Sequence, residues 1–220
     1  FAFSCLATSQ IINIPDVDFK IRLVSTTILS QNAKDLNGNY TKIDLNNDGE
    51  IQVSEAENLS YLSVSYAGIK SLVGIEKFIN LTFLDCGANS LTNLDLSENT
   101  KLITLKASAN YVLKNVNVSK NILLEKLDLA ASNLQAIDVT KNINLLDFSC
   151  FGTFTDLNLS LNSKLKKLYL NADSLLNLNL NGCISLTDAD IRSNSLINLA
   201  ITNAPNINTL SIKSNSLINL

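Results

Sequence analysis

Aliphatic residues return along this chain in the pattern L-x-x-L-x-L, at a nearly constant interval. The copies are Leu59/Leu62/Val64, Leu81/Leu84/Cys86, Leu102/Leu105/Ala107, Leu124/Leu127/Leu129, Leu145/Phe148/Cys150, Leu165/Leu168/Leu170, Leu186/Ala189/Ile191 and Ile207/Leu210/Ile212. Each begins 20 to 22 residues after the one before. Most units hold a second apolar pair, such as Leu94/Leu96, Val116/Val118 and Leu157/Leu159, and a single aliphatic or aromatic residue between the halves, such as Leu91, Leu113 and Phe154. Alternating side chains in L-x-L have strand periodicity. One such unit cannot bury its apolar face alone, but stacked units form a continuous core. The second pair predicts extended chain and a second, narrow sheet.

Polar residues punctuate the units. Asn89, Asn110, Asn194 and Asn215 stand three positions after the first motif, and Asn99, Asn121, Asn142 and Asn162 three after the second. An Asn at a fixed turn can bond backbone groups that the bend leaves unpaired. Repeated coil after coil, such residues make a ladder. Ser132, Thr153 and Asp173 interrupt the first column, and Cys183 and Ala204 the second, so those coils are expected to be held less well.

The motif L-x-x-L-x-L-x-x-N-x-L is intact as Leu81, Leu84, Cys86, Asn89 and Leu91. Residues 59–220 resemble the leucine-rich-repeat family, specifically its short bacterial internalin-like class. The resemblance implies an α/β-class leucine-rich-repeat solenoid, mostly β with little helix. It would be a right-handed curved stack of about eight units of ~21 residues. It also implies that the first strands line a concave face, and that this face binds partners.

Residues 11–58 fit no repeat and are expected to form a small helical N-terminal cap, which a solenoid needs to cover its first coil. Asp16, after Pro15, is placed to cap a helix that turns Phe19, Leu23 and Val24 inward. Within the cap, Asp44 to Glu55 matches D-x-[DN]-x-[DN]-G-x5-E at every specified position. Asp44, Asn46 and Asp48 offer hard oxygens at positions 1, 3 and 5. Gly49 permits the sharp turn, the Glu50 carbonyl serves position 7, Gln52 acts through water, and Glu55 closes the sphere with two oxygens. The segment resembles the EF-hand and dockerin loop, and structural Ca2+ is the expected cofactor.

Leucine (39) and asparagine (31) make up roughly a third of the 220 residues, a bias that only a repeat explains. The chain has no His, which excludes histidine triads and His-ligated zinc. A net charge of −3 argues against a nucleic-acid partner. No run of 18 apolar residues predicts a membrane span. Cys86 and Cys150 share one inward column three coils, or ~14 Å, apart. That is too far to bridge, so they and Cys183 are expected to be buried free thiols. Residues 1–10 resemble the tail of a secretory signal or, through Cys5, a lipid anchor region. Either predicts a secreted or cell-surface protein. Leu220 falls inside a repeat, so the chain is expected to continue in a longer protein.

The two half-units differ in what they turn outward. The second is monotonous, with Asp95, Asn117, Asp138, Asn158, Asn179 and Ala200 in one column. The first is diverse: Phe83, Asp85, Lys106, Lys126, Asp128, Asp147, Ser149, Phe151, Lys167, Tyr169, Asp190 and Arg192. Aromatic anchors with a mixed-charge rim suit a protein interface. The competing expectation is that the charges pair across strands, Asp85 with Lys106 and Lys106 with Asp128. Asp188 and Asp190 lie on an open strand with nothing to raise a carboxyl pKa, so no enzyme is expected. The functional expectation is an exported, non-enzymatic recognition module for a protein ligand. A glycan-binding or cell-wall scaffold, and the repeat region of a larger enzyme, are the alternatives.

Overall fold

In the computed structural model, residues 10–219 are described. Cys5 and the expected signal tail lie outside them. The architecture is a β-solenoid. Its principal sheet has nine strands: β1 (Ala33–Asp35), β2 (Leu59–Ser63), β3 (Phe83–Asp85), β5 (Thr104–Lys106), β7 (Lys126–Leu134), β8 (Asp147–Gly152), β10 (Lys167–Asn171), β12 (Asp188–Arg192) and β14 (Thr209–Lys213). The eight repeat strands run parallel, and β1 from the cap adds antiparallel to β2. Leu84, Leu105 and Leu127 sit side by side on successive strands and are fully buried. The L-x-x-L-x-L columns from Leu59 to Ile191 are therefore the core, while Ile207 and Ile212 are half-buried and Leu210 is exposed.

The second half-units form two narrow sheets, as their alternation predicts. One pairs β4 (Asn93–Asp95) with β6 (Asn115–Asn117), and the other joins β9 (Asp156–Asn158), β11 (Asn177–Asn179) and β13 (Asn198–Ala200). Leu91, Leu113, Leu134, Phe154, Leu175 and Leu196 close the core between the layers.

The second asparagine column is as expected. Asn99, Asn121, Asn142 and Asn162 are wholly buried, and each amide N–H2 donates to carbonyls of the preceding coil, as Asn142 does to Val118 and Asn121, both at 2.9 Å. Cys183 continues the column, its thiol 3.3 Å from the Leu159 carbonyl oxygen.

The first column differs from expectation. Asn89 and Asn110 are buried and bond backbone groups of their own coil and of the one before it. Asn194 and Asn215 are exposed instead. Ser193 takes the buried place, its hydroxyl 2.9 Å from the Leu175 carbonyl, and Ser214 bonds Leu196. The reason lies in the backbone. Tyr66, Ala88, Ala109 and Ala131 make a left-handed turn (φ 51 to 57°) at one position of four successive coils, and Asn89 and Asn110 follow that turn directly. After it, at Ser132 and Thr153, no amide is present to bond the corner. There β7 and β8 run on to meet at Leu134 and Gly152, and the later strands are five residues long. Ser132 keeps a buried hydroxyl with no partner among the described residues.

The cap helix α1 (Val17–Val24) starts at Asp16, whose carboxylate accepts the Phe19 N–H at 2.9 Å, and buries Phe19 and Leu23. A short helix α2 (Val53–Glu57) takes in the end of the acidic loop, Glu55 included. Cys86, Cys150 and Cys183 are free and buried, and burial pushes their thiols up, that of Cys183 to about 11.

Candidate functional site

Two regions carry chemistry: the outward rows of the nine-stranded sheet and the loop from Asp44 to Glu55. Parallel register arranges the sheet's side chains in rows. One row runs Tyr61, Phe83, Thr104, Lys126, Asp147, Lys167, Asp188. The next runs Ser63, Asp85, Lys106, Asp128, Ser149, Tyr169, Asp190. Phe151 and Arg192 flank Asn171 in a third. All twelve expected residues thus share one face.

That face holds two aromatic groups. Phe151 meets Tyr169 edge to face with ring centres 5.3 Å apart, and the Arg192 guanidinium lies 5.4 Å from the Tyr169 ring. Arg192 also pairs with Asp190 at 2.9 Å, and that hydrogen bond holds its pKa above the usual arginine value. Beside them a shallow depression of about 380 Å³ opens among Asp147, Ser149, Lys167, Tyr169, Asp188 and Asp190. At the other end, Tyr61 stacks on Phe83 at 4.3 Å with planes 11° apart. Lys34 and Lys106 lie over the outer faces of this pair, at 5.5 and 5.7 Å.

The expected cross-strand charge pairs do not form. Asp85, Lys106 and Asp128 are neighbours in register, yet Asp85 accepts the Gly87 N–H and Asp128 the Ala130 N–H, both at 3.0 Å. A short carboxylate reaches its own backbone two residues on more readily than a neighbouring strand's lysine. Lys106 is left to lean on Phe83. Lys126 and Asp147 do meet, loosely, at 3.9 Å.

Sequence reading missed Tyr61, Lys34 and Tyr40. Tyr61 was legible, because it occupies the column of Phe83 one coil earlier. Lys34 and Tyr40 were not, because β1 belongs to no repeat and its antiparallel pairing is a tertiary fact.

In the acidic loop, Gly49 adopts φ +78° and Asn47 φ 60°. The Asp44 carboxylate accepts the N–H groups of Asp48 (3.2 Å) and Gly49 (3.0 Å). Glu55 accepts those of Leu45 (2.7 Å) and Gln52 (2.9 Å). Asp48 accepts the Glu50 N–H at 2.8 Å, the leading cause of its lowered pKa. Its second oxygen takes the side-chain amides of Asn46 and Gln52. The Glu50 side chain turns away to Lys20 at 2.6 Å. Among the described residues no three acidic or cysteine side chains converge as a metal cluster.

The donors are carboxylate and amide oxygens, the hard type that a divalent cation takes. Asp44 and Glu55 are only 6% exposed, and no described cation pairs with either. The side-chain oxygens of Asn46 and Gln52 already accept within the loop, from the Asp48 N–H at 3.0 Å and the Asn46 amide at 3.2 Å.

Fold and site together define a leucine-rich-repeat solenoid with an internalin-like architecture. No protein-family model and no curated protein matches the sequence. Among solved structures, a leucine-rich-repeat protein of Leptospira interrogans is similar at 21% identity with a TM-score of 0.65. The match covers 72% of this chain but only 44% of that one. Internalin C2 of Listeria monocytogenes is similar at 19% identity and TM-score 0.64, over 93% of this chain and 87% of that one. Another internalin of that organism gives 16% and 0.55, over 92% and 77%. At such identities it is the fold that is shared. No helix among the described residues is long and apolar enough to cross a membrane.

Proposed function

We propose that this chain is a non-enzymatic recognition module, secreted or at the cell surface, that binds a protein partner through the outward, concave face of its nine-stranded sheet. The carrying observation is the contrast between the two faces. The narrow sheets repeat short polar residues that bond one another, as Asn177 does with Asp156 (2.7 Å) and Asn198 with Asn177 (2.6 Å). The wide sheet displays non-repeating aromatics and charges, grouped around Phe151 and Tyr169. Side chains that a repeat does not require, and that project outward, are free to serve recognition. Nine strands at ~4.8 Å span ~40 Å, enough for a standard interface.

The test is capture of surface proteins by the wild-type chain and by Phe151→Ala/Tyr169→Ala. Losing both anchors is expected to weaken binding of a specific partner by roughly 2–4 kcal/mol, while Asn117→Ser on the narrow sheet leaves it unchanged. Equal binding by all three proteins would remove the wide sheet from the interface.

The same reading gives the acidic loop a structural calcium ion. Asp44, Asn46, Asp48, Glu55, the Glu50 carbonyl and Gln52 would hold it. The ion would supply the positive charge that Asp44, Asp48 and Glu55 lack, Glu50 being paired with Lys20. Its role is to stiffen the cap.

A further inference from the structure

Between residues 99 and 200, eight large apolar residues are exposed. Five of them, Ile122, Leu123, Ile143, Leu161 and Ile184, flank the buried column that runs from Asn99 to Cys183. That column marks the turn from each second half-unit to the next wide strand, and its amides tie every turn to the one before. The turns therefore stack in line. Ile122 and Ile143 stand directly after the asparagine on neighbouring coils, ~4.8 Å apart, and Ile184 stands in the same place after Cys183. These three are 51 to 54% exposed. Thr100 and Ser163 fill that place in other coils, so the turn does not require an aliphatic side chain there.

The charge of this flank is opposite to that of the molecule. Lys101, Lys120, Lys141, Lys164 and Lys166 are exposed on the same turns, and none makes an ion pair among the described residues. Lys101 and Lys164 donate to neutral amide oxygens, of Asn80 at 2.6 Å and Asn144 at 2.8 Å. The acids beside them are Glu98, Glu125 and Asp138. Asp138 accepts the Thr140 N–H at 2.8 Å and also feels Lys141. With all three counted at full negative charge, the flank still carries +2, in a chain of net charge −3.

The combination narrows what can cover the flank. A second copy seated on the same turns would set lysines against lysines. A polyanionic chain would match the lysines and leave the isoleucines in water. A bilayer rich in anionic lipid meets both demands. The aliphatic side chains reach the acyl boundary, and the lysine stems lie beside them with their ammonium groups among the phosphates. We propose that this flank seats the solenoid on an anionic lipid surface. The outward face of the wide sheet takes no part in that contact, so partner recognition and membrane seating use separate surfaces.

The experiment floats the full chain with vesicles of phosphatidylcholine and phosphatidylglycerol in equal parts, and with vesicles of phosphatidylcholine alone. Binding to the anionic vesicles is expected to be at least tenfold tighter and to fade as salt screens the lysines. Lys120→Glu/Lys141→Glu and Ile122→Ser/Ile143→Ser are each expected to weaken it about tenfold or more. Tyr111→Ser/Val112→Ser, at exposed positions on the opposite flank, and Phe151→Ala/Tyr169→Ala are expected to leave it unchanged. The chain has no tryptophan, so Ile143→Trp supplies a single fluorophore, whose emission is expected to shift to the blue on the anionic vesicles. That variant reads insertion even if the serine pair loosens its coils. Failure to float, binding indifferent to the isoleucines, or a tryptophan emission that stays unshifted overturns the proposal. Binding of an oligo-glutamate peptide without binding of vesicles also overturns it, in favour of an acidic protein. If a surface protein is captured through Phe151 and Tyr169 while the chain never floats, the recognition face stands and the membrane seat falls.

Discussion

Asn142 shows how much one side chain does here. Its N–H2 group joins two coils by donating to carbonyls at Val118 and Asn121, while its own oxygen is buried without a partner among the described residues. Asn142→Ala therefore removes one of two donors from each of these carbonyls, which keep the N–H groups of Asn121 (3.0 Å) and Leu124 (3.1 Å). A loss of roughly 1–2 kcal/mol is expected, read as a lower urea midpoint. A loss under about 0.5 kcal/mol would show that water replaces the amide. Gly152 is constrained in another way. A Cβ there would collide with the Leu134 carbonyl oxygen and lie 2.7 Å from the Phe154 ring, because β7 and β8 come together where earlier coils turn away.

Among the elements, the cap is held by a few long connections rather than by repetition. Asp16 both starts α1 and, through its other oxygen, accepts the N–H groups of Lys70 (2.8 Å) and Ser71 (2.9 Å) in the first repeat. Burial alone would raise its pKa. The N–H groups of Phe19, Lys70, Ser71 and Asp18 together outweigh that effect and hold it below the usual 3.8. The folded state thus binds the proton more weakly than the unfolded chain. The stability Asp16 contributes is complete above about pH 4 and is lost as pH falls through its folded pKa. Asp16→Asn is expected to flatten that acid dependence, measured by amide exchange in α1 between pH 2 and 5.

The acidic loop is tied in the same manner. Ile12 donates to the Ile51 carbonyl (2.8 Å) and Val53 to that of Gln10 (2.9 Å), so residues 10–12 form a strap antiparallel to residues 51–53. Calcium at about one hundred times its dissociation constant is expected to add ~2.7 kcal/mol to cap stability. Glu55→Gln is expected to abolish most of that gain. An unchanged melting temperature in chelator, with no heat of binding in calorimetry, would exclude the ion.

At the scale of the molecule, every coil owes its dry interior to its neighbours. Leu105, fully buried between Leu84 and Leu127, belongs to no single unit. Leu105→Ala is expected to cost 2–5 kcal/mol and to raise amide exchange in β3 and β7 as well as in β5, since stability in a stack is shared between nearest neighbours. Exchange confined to β5 would mean that the coils are held independently.

The repeat was legible in detail: the inward leucines, the buried thiols, the second asparagine column and the narrow sheets all stand where a period of about 21 residues puts them. Periodicity works here because one geometry recurs, so each copy reports on the rest. The first asparagine column was legible only to the middle of the chain. Beyond it, the identity of the corner residue fails to say whether the backbone turns or runs on. The candidate face was legible as a set of positions, but not as partnerships. Lys106 faces two aspartates in register and touches neither. The repeat thus determined from sequence alone what is buried, because burial follows from spacing. Tertiary structure decided what the surface does with its charges. Those choices depend on which competing partner, a nearby backbone N–H, an aromatic ring or a cap strand of unrelated sequence, comes within reach first.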